Sequence, residues 1–513
     1  MQEISSPEPL QSPPAPAIPP FTPRRRAKLP ANGTHDSRNA RDILNQMAVH
    51  SRHPIGPPPT APARESTGHL LLRGYTVFVL FVALATTFWY NLVGFVGLGI
   101  ILAAATLLSV GLWISFRPLV DWRRLPWFAV GYVAWATASL LWTQWLDASL
   151  LTWAVLVSTT LQGIFVATVL SWRELVRAIA SALKWVMGLS LAFEVIVWFF
   201  VRHPVLPNFL NWDDEIVTEL YWSRMNLFDW DARIQGIVGN AHLLAIAAVL
   251  AIVVFGVRLA SGAPRPGWLI GWIVLSTFLL WRSASATAWL CLIAAGVVLG
   301  TILLMRTTSR AGGRTKWYLL YAGVAVVGGL AVWFGRDLIL GVFGKSSDLT
   351  ARTEIWDAVW MRIHEHPVIG WGFSTPWIPW EPQFSDWIIV NDLPVFHAHN
   401  MWLDALFQLG IIGTLILALA YFAFIWRSWF FATDRPRWDL VADRPYQALT
   451  VLPSLVATIL LVQGLAESRP LMEWGWMFLV MFAMKIKQSP LVGAGPAEQR
   501  LAMERGERIP ETR

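Results

Sequence analysis

The chain has 513 residues, of which 55% are hydrophobic and only 14% charged, and its mean hydropathy is +0.49. Soluble proteins carry nearer ~25% charged residues, so this composition excludes an ordinary soluble domain and points to a polytopic membrane protein. A net charge of +7 would suit nucleic acid, but the charge gathers in alternate loops between apolar runs, which excludes that partner.

Residues 1–68 are rich in Pro and Ser, include Arg24, Arg25 and Arg26, and show no apolar periodicity. They are expected to form a disordered cytoplasmic tail. The basic cluster leads into a long polar stretch rather than a short apolar core, so no signal peptide is expected. An integral domain is expected over 69–487 and a second cytoplasmic tail over 488–513. A hydrocarbon layer of ~30 Å takes ~20 apolar residues per helix. About twelve such runs are present, near 75–90, 92–115, 125–142, 149–170, 175–201, 239–257, 268–281, 284–305, 317–334, 400–425, 448–464 and 472–484. The expected fold is therefore all-α, with about 12 transmembrane helices and a large structured periplasmic loop.

Arginine and lysine recur on one side of these runs: Arg117, Arg123 and Arg124, then Arg173 and Arg177, Arg258 and Arg265, Arg306, Arg310, Arg314 and Lys316, Arg427, Arg435, Arg437 and Arg444, and finally Lys485 and Lys487. That is a positive-inside pattern, and it places both termini in the cytoplasm. Two long intervening loops, about 202–238 and 335–399, lean acidic and are expected to face outward. The first contains Asp213, Asp214, Glu215, Glu219, Asp229 and Asp231, and the second Asp348, Glu354, Asp357, Glu365, Glu381, Asp386 and Asp392. The acidic triplet could suggest a metal site, but a solvated face is the better reading. The single cysteine, Cys291, lies within an apolar run, excludes an intramolecular disulfide and is expected to be inert.

Loops beyond ~12–15 residues are usually functional or disordered, and the Trp, Phe and Gly content of the second loop argues that it folds. Thr350 or Asp348 could cap a surface helix with Ile355, Val359 and Ile363 at four-residue spacing, flanked by Trp356 and Trp360. Arg352 would then sit in its first turn, where the helix dipole disfavours a cation but the same spot suits a bound anion such as a diphosphate. Equally, Arg352 could pair with Glu354, Asp357 or a lipid phosphate. His399 stands where the loop becomes a transmembrane helix, and an imidazole at a helix N-terminus is pushed toward the neutral form a general base needs. His364 with His366 and His397 with His399 form two His-x-His pairs, yet no HExxH motif or cysteine ligand accompanies them, so no metal is expected. Trp371, Trp377, Trp380 and Trp387 could form an interfacial belt or a stacking platform for sugar rings.

Two stretches of this loop resemble the O-antigen ligase and polymerase family of bacterial membrane glycan enzymes. One comprises Arg352, Ile355, Trp356, Pro367, Gly370 and Gly372, and the other His397, Ala398, His399 and Asn400 followed by Gly410 and Gly413. The wording is nearest to exopolysaccharide polymerases of the ExoQ or Wzy type. Arg233 opens a stretch, RIQGIVGNAH, similar to the family's entry into its middle spans. The run from Arg282 to Ala288 is similar to its small-residue turn, with the arginine displaced to the front. Glu467 and Ser468 resemble a late element near the outer surface. The resemblance covers about 236–474, with a core at about 236–425 and the catalytic loop at about 335–399.

The resemblance implies a glycosyltransferase of the bacterial inner membrane that uses an undecaprenyl-diphosphate-linked oligosaccharide at the periplasmic face. His399 would be the general base, Arg352 and Arg233 would hold the diphosphate, and Glu467, Asn400, His397 and Trp356 would contact substrate. No metal and no cofactor would take part, and transfer would proceed with inversion. The preferred acceptor is another lipid-linked repeat, making a polymer; the alternative is lipid A core, making a ligase. Membrane lipids and a chain-length-regulating copolymerase are the expected partners. A transporter or flippase is the competing class, for which Glu194, an acid inside an apolar run, is the main indication.

Overall fold

In the computed structural model the described residues are 67–210, 218–308, 313–342, 347–390, 393–434, 446–493 and 497. The N-terminal tail to residue 66, the Asp213–Glu215 cluster and almost all of the C-terminal tail therefore lie outside the described residues.

The chain is a helical bundle. In order it forms α1 (Thr67–Leu84), α2 (Thr86–Phe116), α3 (Trp127–Ala138), α4 (Leu146–Val169), α5 (Trp172–Ile196), α6 (Ala241–Ala260), α7 (Pro266–Ser283), α8 (Ala286–Thr307), α9 (Thr315–Val342), α10 (Ser347–Glu365), α11 (Met401–Thr433), α12 (Leu452–Gly464) and α13 (Glu473–Gln488). Among the described residues, seven are long and apolar enough to cross a membrane: α1, α2, α4, α5 with its π-turn to Val201, α6, α8 and α11. The chain is thus a multi-pass membrane protein. Of the other expected runs, some fall on shorter helices, such as Trp127–Leu141 and Ala448–Gly464, and the one near 317–334 falls on the 28-residue helix α9.

Helix α13 runs through the middle of the packing, with Trp476, Met477, Phe478, Leu479, Met481 and Phe482 all without solvent exposure. A helix apolar on every side must be enclosed by others. It lies closest to α4, where a Cβ added at Gly163 would come within 3.0 Å of the Met477 carbonyl oxygen. That contact needs a small residue, as in membrane helix packing generally.

Two features bring the loops to one end of the bundle. The carboxylate of Glu194, at the end of α5, accepts the backbone N–H groups of Gln235 (3.1 Å) and Gly236 (2.7 Å) and the Ser223 hydroxyl (3.0 Å). Glu194 therefore fastens the first long loop and does not mark a polar passage. Arg282, at the end of α7 and 3% exposed, donates to the carbonyls of Asn226 (2.6 Å), Leu227 (3.2 Å), Asp229 (2.7 Å) and Ala232 (3.2 Å) and lies 4.8 Å over the Trp230 ring. The arginine displaced to the front of the small-residue turn thus organises this same loop.

The second loop has its own core, built from Trp145, Ile355, Val359, Ile363, Trp377, Phe384, Val395 and Phe407. The four-residue apolar spacing of α10 faces this core. Trp377 is buried in it, and Trp371 and Trp387 pack against it. Trp377 is thus closed to lipid and sugar alike, Trp371 and Trp387 are half-buried, and Trp380, 58% exposed, is the most open of the four. A short hairpin, β1 (Ile389–Val390) paired antiparallel with β2 (Leu393–Pro394), borders the core.

The glycines of the loop motif have a common cause. Helix α11 breaks at Gly410, which has φ 63°, and the segment after Pro367 supplies the missing helix partners. Trp371 and Gly372 donate to the carbonyls of Phe407 and Gln408 (3.1 and 2.8 Å), while Ile411 donates to that of Pro367 (2.9 Å). The two backbones touch so closely that a Cβ on Gly410 would fall 2.3 Å from Val368 backbone, and one on Gly370, with φ 71°, 2.4 Å from Gln408 backbone. Left-handed backbone alone costs a non-glycine residue ~1–3 kcal/mol, before the clash. Gly410→Ala and Gly370→Ala are therefore expected to lower the amount of folded protein and the melting temperature in detergent, whereas Gly296→Ala, which meets nothing within 4 Å, should leave both unchanged.

Candidate active site

Three helices begin at the same place. Asn240 caps α6 by accepting from the N–H groups of His242 and Leu243, Ser285 caps α8 through the N–H of Ala288, and Asn400 caps α11 through those of Trp402 and Leu403. Asn240 and Ser285, with His242, His397, His399, Glu467 and Arg469, line a cavity of about 90 Å³. Helix starts expose N–H groups and the positive dipole end, so such a convergence favours an anion.

The centre is Glu467, in the turn after α12. One oxygen lies 3.3 Å from His399 Nδ1 and 3.9 Å from His397 Nε2; the other lies 3.4 Å from an Arg352 guanidinium nitrogen. Burial opposes ionisation of Glu467, but contact with His399 and the positive charge around it outweigh burial and hold the carboxyl down at about 2. It is a permanent anion at any working pH. His397 is the reverse: burial pushes its pKa well below the ordinary value, and the positive charges of His399, Arg469 and Arg352 act in the same direction against the pull of Glu467. It is therefore neutral. Its Nδ1 accepts the backbone N–H of His399 at 3.2 Å, so its proton belongs on Nε2.

His399 has φ 50°, a left-handed conformation uncommon for a residue other than glycine, asparagine or aspartate. Several contacts impose it. The Asn400 amide nitrogen donates to the Leu465 carbonyl (3.2 Å), the Trp356 indole donates to that of Ala398 (2.9 Å), and the buried carboxylate of Asp404 accepts from the N–H of Ala398 (3.3 Å), the Trp377 indole (3.0 Å) and the Gln408 amide (2.8 Å). The imidazole is thus held with Nδ1 toward Glu467. A proton on Nδ1 that faces a carboxylate leaves Nε2 with its lone pair, the arrangement a general base requires.

Of the residues expected from sequence, the structure brings His399, His397, Glu467 and Arg352 together. Arg233 is exposed and lies one residue removed: its guanidinium is 3.5 Å from His242 Nε2, and His242 Nδ1 is 3.0 Å from the Ser285 hydroxyl. Asn400 and Trp356 hold the loop with their polar atoms. Arg352 is the sixth residue of α10, not in its first turn, so the dipole argument for an anion there does not apply; the side chains of Asp348 and Thr350 are outside the described set. His364 and His366 do not converge, since His364 Nδ1 lies 2.8 Å from the Trp360 carbonyl and His366 packs edge-on to Trp371. His397, His399 and Glu467 do offer ligand atoms within 4.8 Å of one another. Two guanidinium groups, Arg352 and Arg469, act on the same cluster and oppose a cation there.

Sequence reasoning missed His242, Arg469 and Asp404. A signal for His242 existed: Asn240 precedes it just as a second capping asparagine, Asn400, follows His399, each at the start of an apolar run.

The architecture and this cluster define a multi-pass α-helical membrane protein with a histidine–carboxylate–arginine centre at helix starts. Residues 271–418, which include Arg282, Arg352, His397, His399, Asn400 and Gly410, match the family described as O-Antigen ligase. The exopolysaccharide production protein ExoQ of Rhizobium meliloti (strain 1021) is 32% identical over 168 residues, covering 29% of this chain and 36% of that relative's length. Each match covers one part of the chain, which is similar there to the O-antigen ligase family and to ExoQ.

Proposed function

We propose that this protein polymerises undecaprenyl-diphosphate-linked oligosaccharide repeats at the periplasmic face of the bacterial inner membrane. The observation that carries the reading is the contact of one carboxylate, Glu467, with both His399 and Arg352. Glu467 orients the imidazole, and His399 Nε2 takes the proton of the acceptor hydroxyl as its oxygen attacks the anomeric carbon. The bond to the lipid diphosphate breaks on the opposite face of the sugar, giving inversion. Arg352, with Arg233 reaching in beside His242 and with the three helix starts, stabilises the charge that develops on the departing diphosphate. No metal is needed for this balance of charge. The orientation is supported by the cationic residues Arg306, Arg314, Arg427 and Lys487, which gather at the other end of the bundle.

The ExoQ relative, an exopolysaccharide production protein, favours polymer as the product; the family description, a ligase, favours transfer to a separate acceptor such as lipid A core. Purified protein incubated with lipid-diphosphate oligosaccharide separates them. Products at multiples of the repeat, unaffected by chelator, are expected. A requirement for added lipid A core and a single capped product would make it a ligase. No turnover of either kind, with export of the lipid-linked sugar in vesicles, would make it a transporter.

A further inference from the structure

A second cavity, of about 710 Å³, lies at the far end of α11 from the histidine cluster. Helix α11 runs unbroken from the residue after Gly410 to Thr433, and at ~1.5 Å per residue that part alone is ~35 Å long. Arg123, Arg124, Arg427 and Lys487 line this cavity. The carboxylate in its wall, Asp434, is taken by Arg314 at 2.7 Å. Arg124 also meets the half-exposed Asp121, outside the wall, at 3.2 Å, and Arg427 and Lys487 repel each other. Four cations around one space, with no free carboxylate among the described residues of its lining, call for an anion from outside the chain.

The rest of the lining says what the anion is attached to. Trp426 and Phe430 of α11 face the cavity, and Phe422 continues the same stripe one turn toward the membrane interior. The Phe422 and Trp426 rings stack at 5.8 Å, Trp426 and Phe430 meet at 4.9 Å, and the first two are 61% and 56% exposed. Trp122 and Trp127, exposed on the adjoining segment, mark the headgroup level where tryptophan gathers. The ligand therefore has an anionic head and an apolar tail.

We propose that this cavity binds the phosphate headgroup of an anionic membrane phospholipid, with an acyl chain laid along Phe422, Trp426 and Phe430. The guanidinium groups of Arg123, Arg124 and Arg427 and the Lys487 ammonium surround the phosphodiester. Lys487 also donates to the Leu125 carbonyl, which ties α13 to the turn before α3.

The test uses the full chain, purified in neutral detergent and titrated with phosphatidylglycerol or phosphatidylcholine, with bound lipid counted by native mass spectrometry. Phosphatidylglycerol should bind at least about 10-fold tighter. Arg123→Gln with Arg427→Gln removes two surface cations and should abolish that preference, without altering the lipid-free melting temperature. Phe422→Ala with Trp426→Ala should weaken both lipids. Equal binding of the two lipids by the wild-type protein overturns the proposal whatever the variants do. Displacement of phosphatidylglycerol by glycerol phosphate at similar concentration also overturns it, because the site would then hold a free phosphate rather than a lipid. Activity at the histidine cluster is not the readout, so this result and the proposed function stand or fall separately.

Discussion

His399→Ala should reduce polymer formation by about 10²–10⁴-fold, the usual contribution of a positioned general base, while leaving the amount of protein in the membrane unchanged. The side chain is 32% exposed, and its ring meets that of His397 at 4.3 Å, so its removal empties little buried volume. His399→Asn is the stricter variant. Asparagine tolerates the left-handed backbone at this position, so it keeps the loop and removes only the base. Glu467→Gln should also lower turnover, and by a different signature. With its pKa held at about 2, below the ordinary carboxyl value, Glu467 contributes fully above about pH 4.5 and loses its contribution only as pH falls toward 2. Loss of the Glu467 charge therefore has no part in any pH dependence near neutrality, and Glu467→Gln should lower turnover across the whole range above about pH 4.5. Wild-type yield and chain length in His399→Asn would remove the residue from the chemistry.

How the sequence presents this centre explains which parts of it were legible. His399 and Asn400 announce themselves locally, because a capping residue must sit at the boundary of an apolar run. Pro367, Gly370, Gly372 and Gly410 are likewise visible, but their reason is not. Only the structure shows that the segment after Pro367 completes the broken helix α11, so that glycine is demanded at both backbones. The link from Glu467 to Arg352 joins residues far apart in the chain, and no local period encodes such a pair. Asp404 was hidden for another reason: one acid in the first turn of an apolar helix reads as an ordinary N-terminal carboxylate, yet it is fully buried and holds Ala398 and Trp377. The tryptophans misled in the opposite direction. Composition cannot separate a ring facing sugar or lipid from one buried in a loop core, and three of the four singled out pack in or against such a core.

Replacing Arg352 with lysine distinguishes diphosphate binding from simple anchoring. Arg352 has 13% of its side chain exposed and lies 3.4 Å from Glu467, a partner that a lysine ammonium could also satisfy. If the arginine serves only to pair with Glu467, Arg352→Lys should be nearly silent. If its planar fork also receives charge from the departing diphosphate, lysine loses the paired donors that match phosphate oxygens. Turnover should then fall about 10²–10³-fold, the range for loss of one donor that acts on developing charge. Substrate affinity should change less than turnover, since that charge is greatest after the bond begins to break. Arg233→Lys should be milder, because Arg233 is exposed and approaches the cluster through His242 at 3.5 Å. The measurement is single-turnover kinetics of purified protein on lipid-diphosphate oligosaccharide, with and without chelator. Near-normal turnover in Arg352→Lys would leave the arginine a structural partner of Glu467. A chelator-sensitive wild type would instead make His397, His399 and Glu467 metal ligands, since their ligand atoms already lie within 4.8 Å of one another, and the general-base assignment would fall with the same experiment.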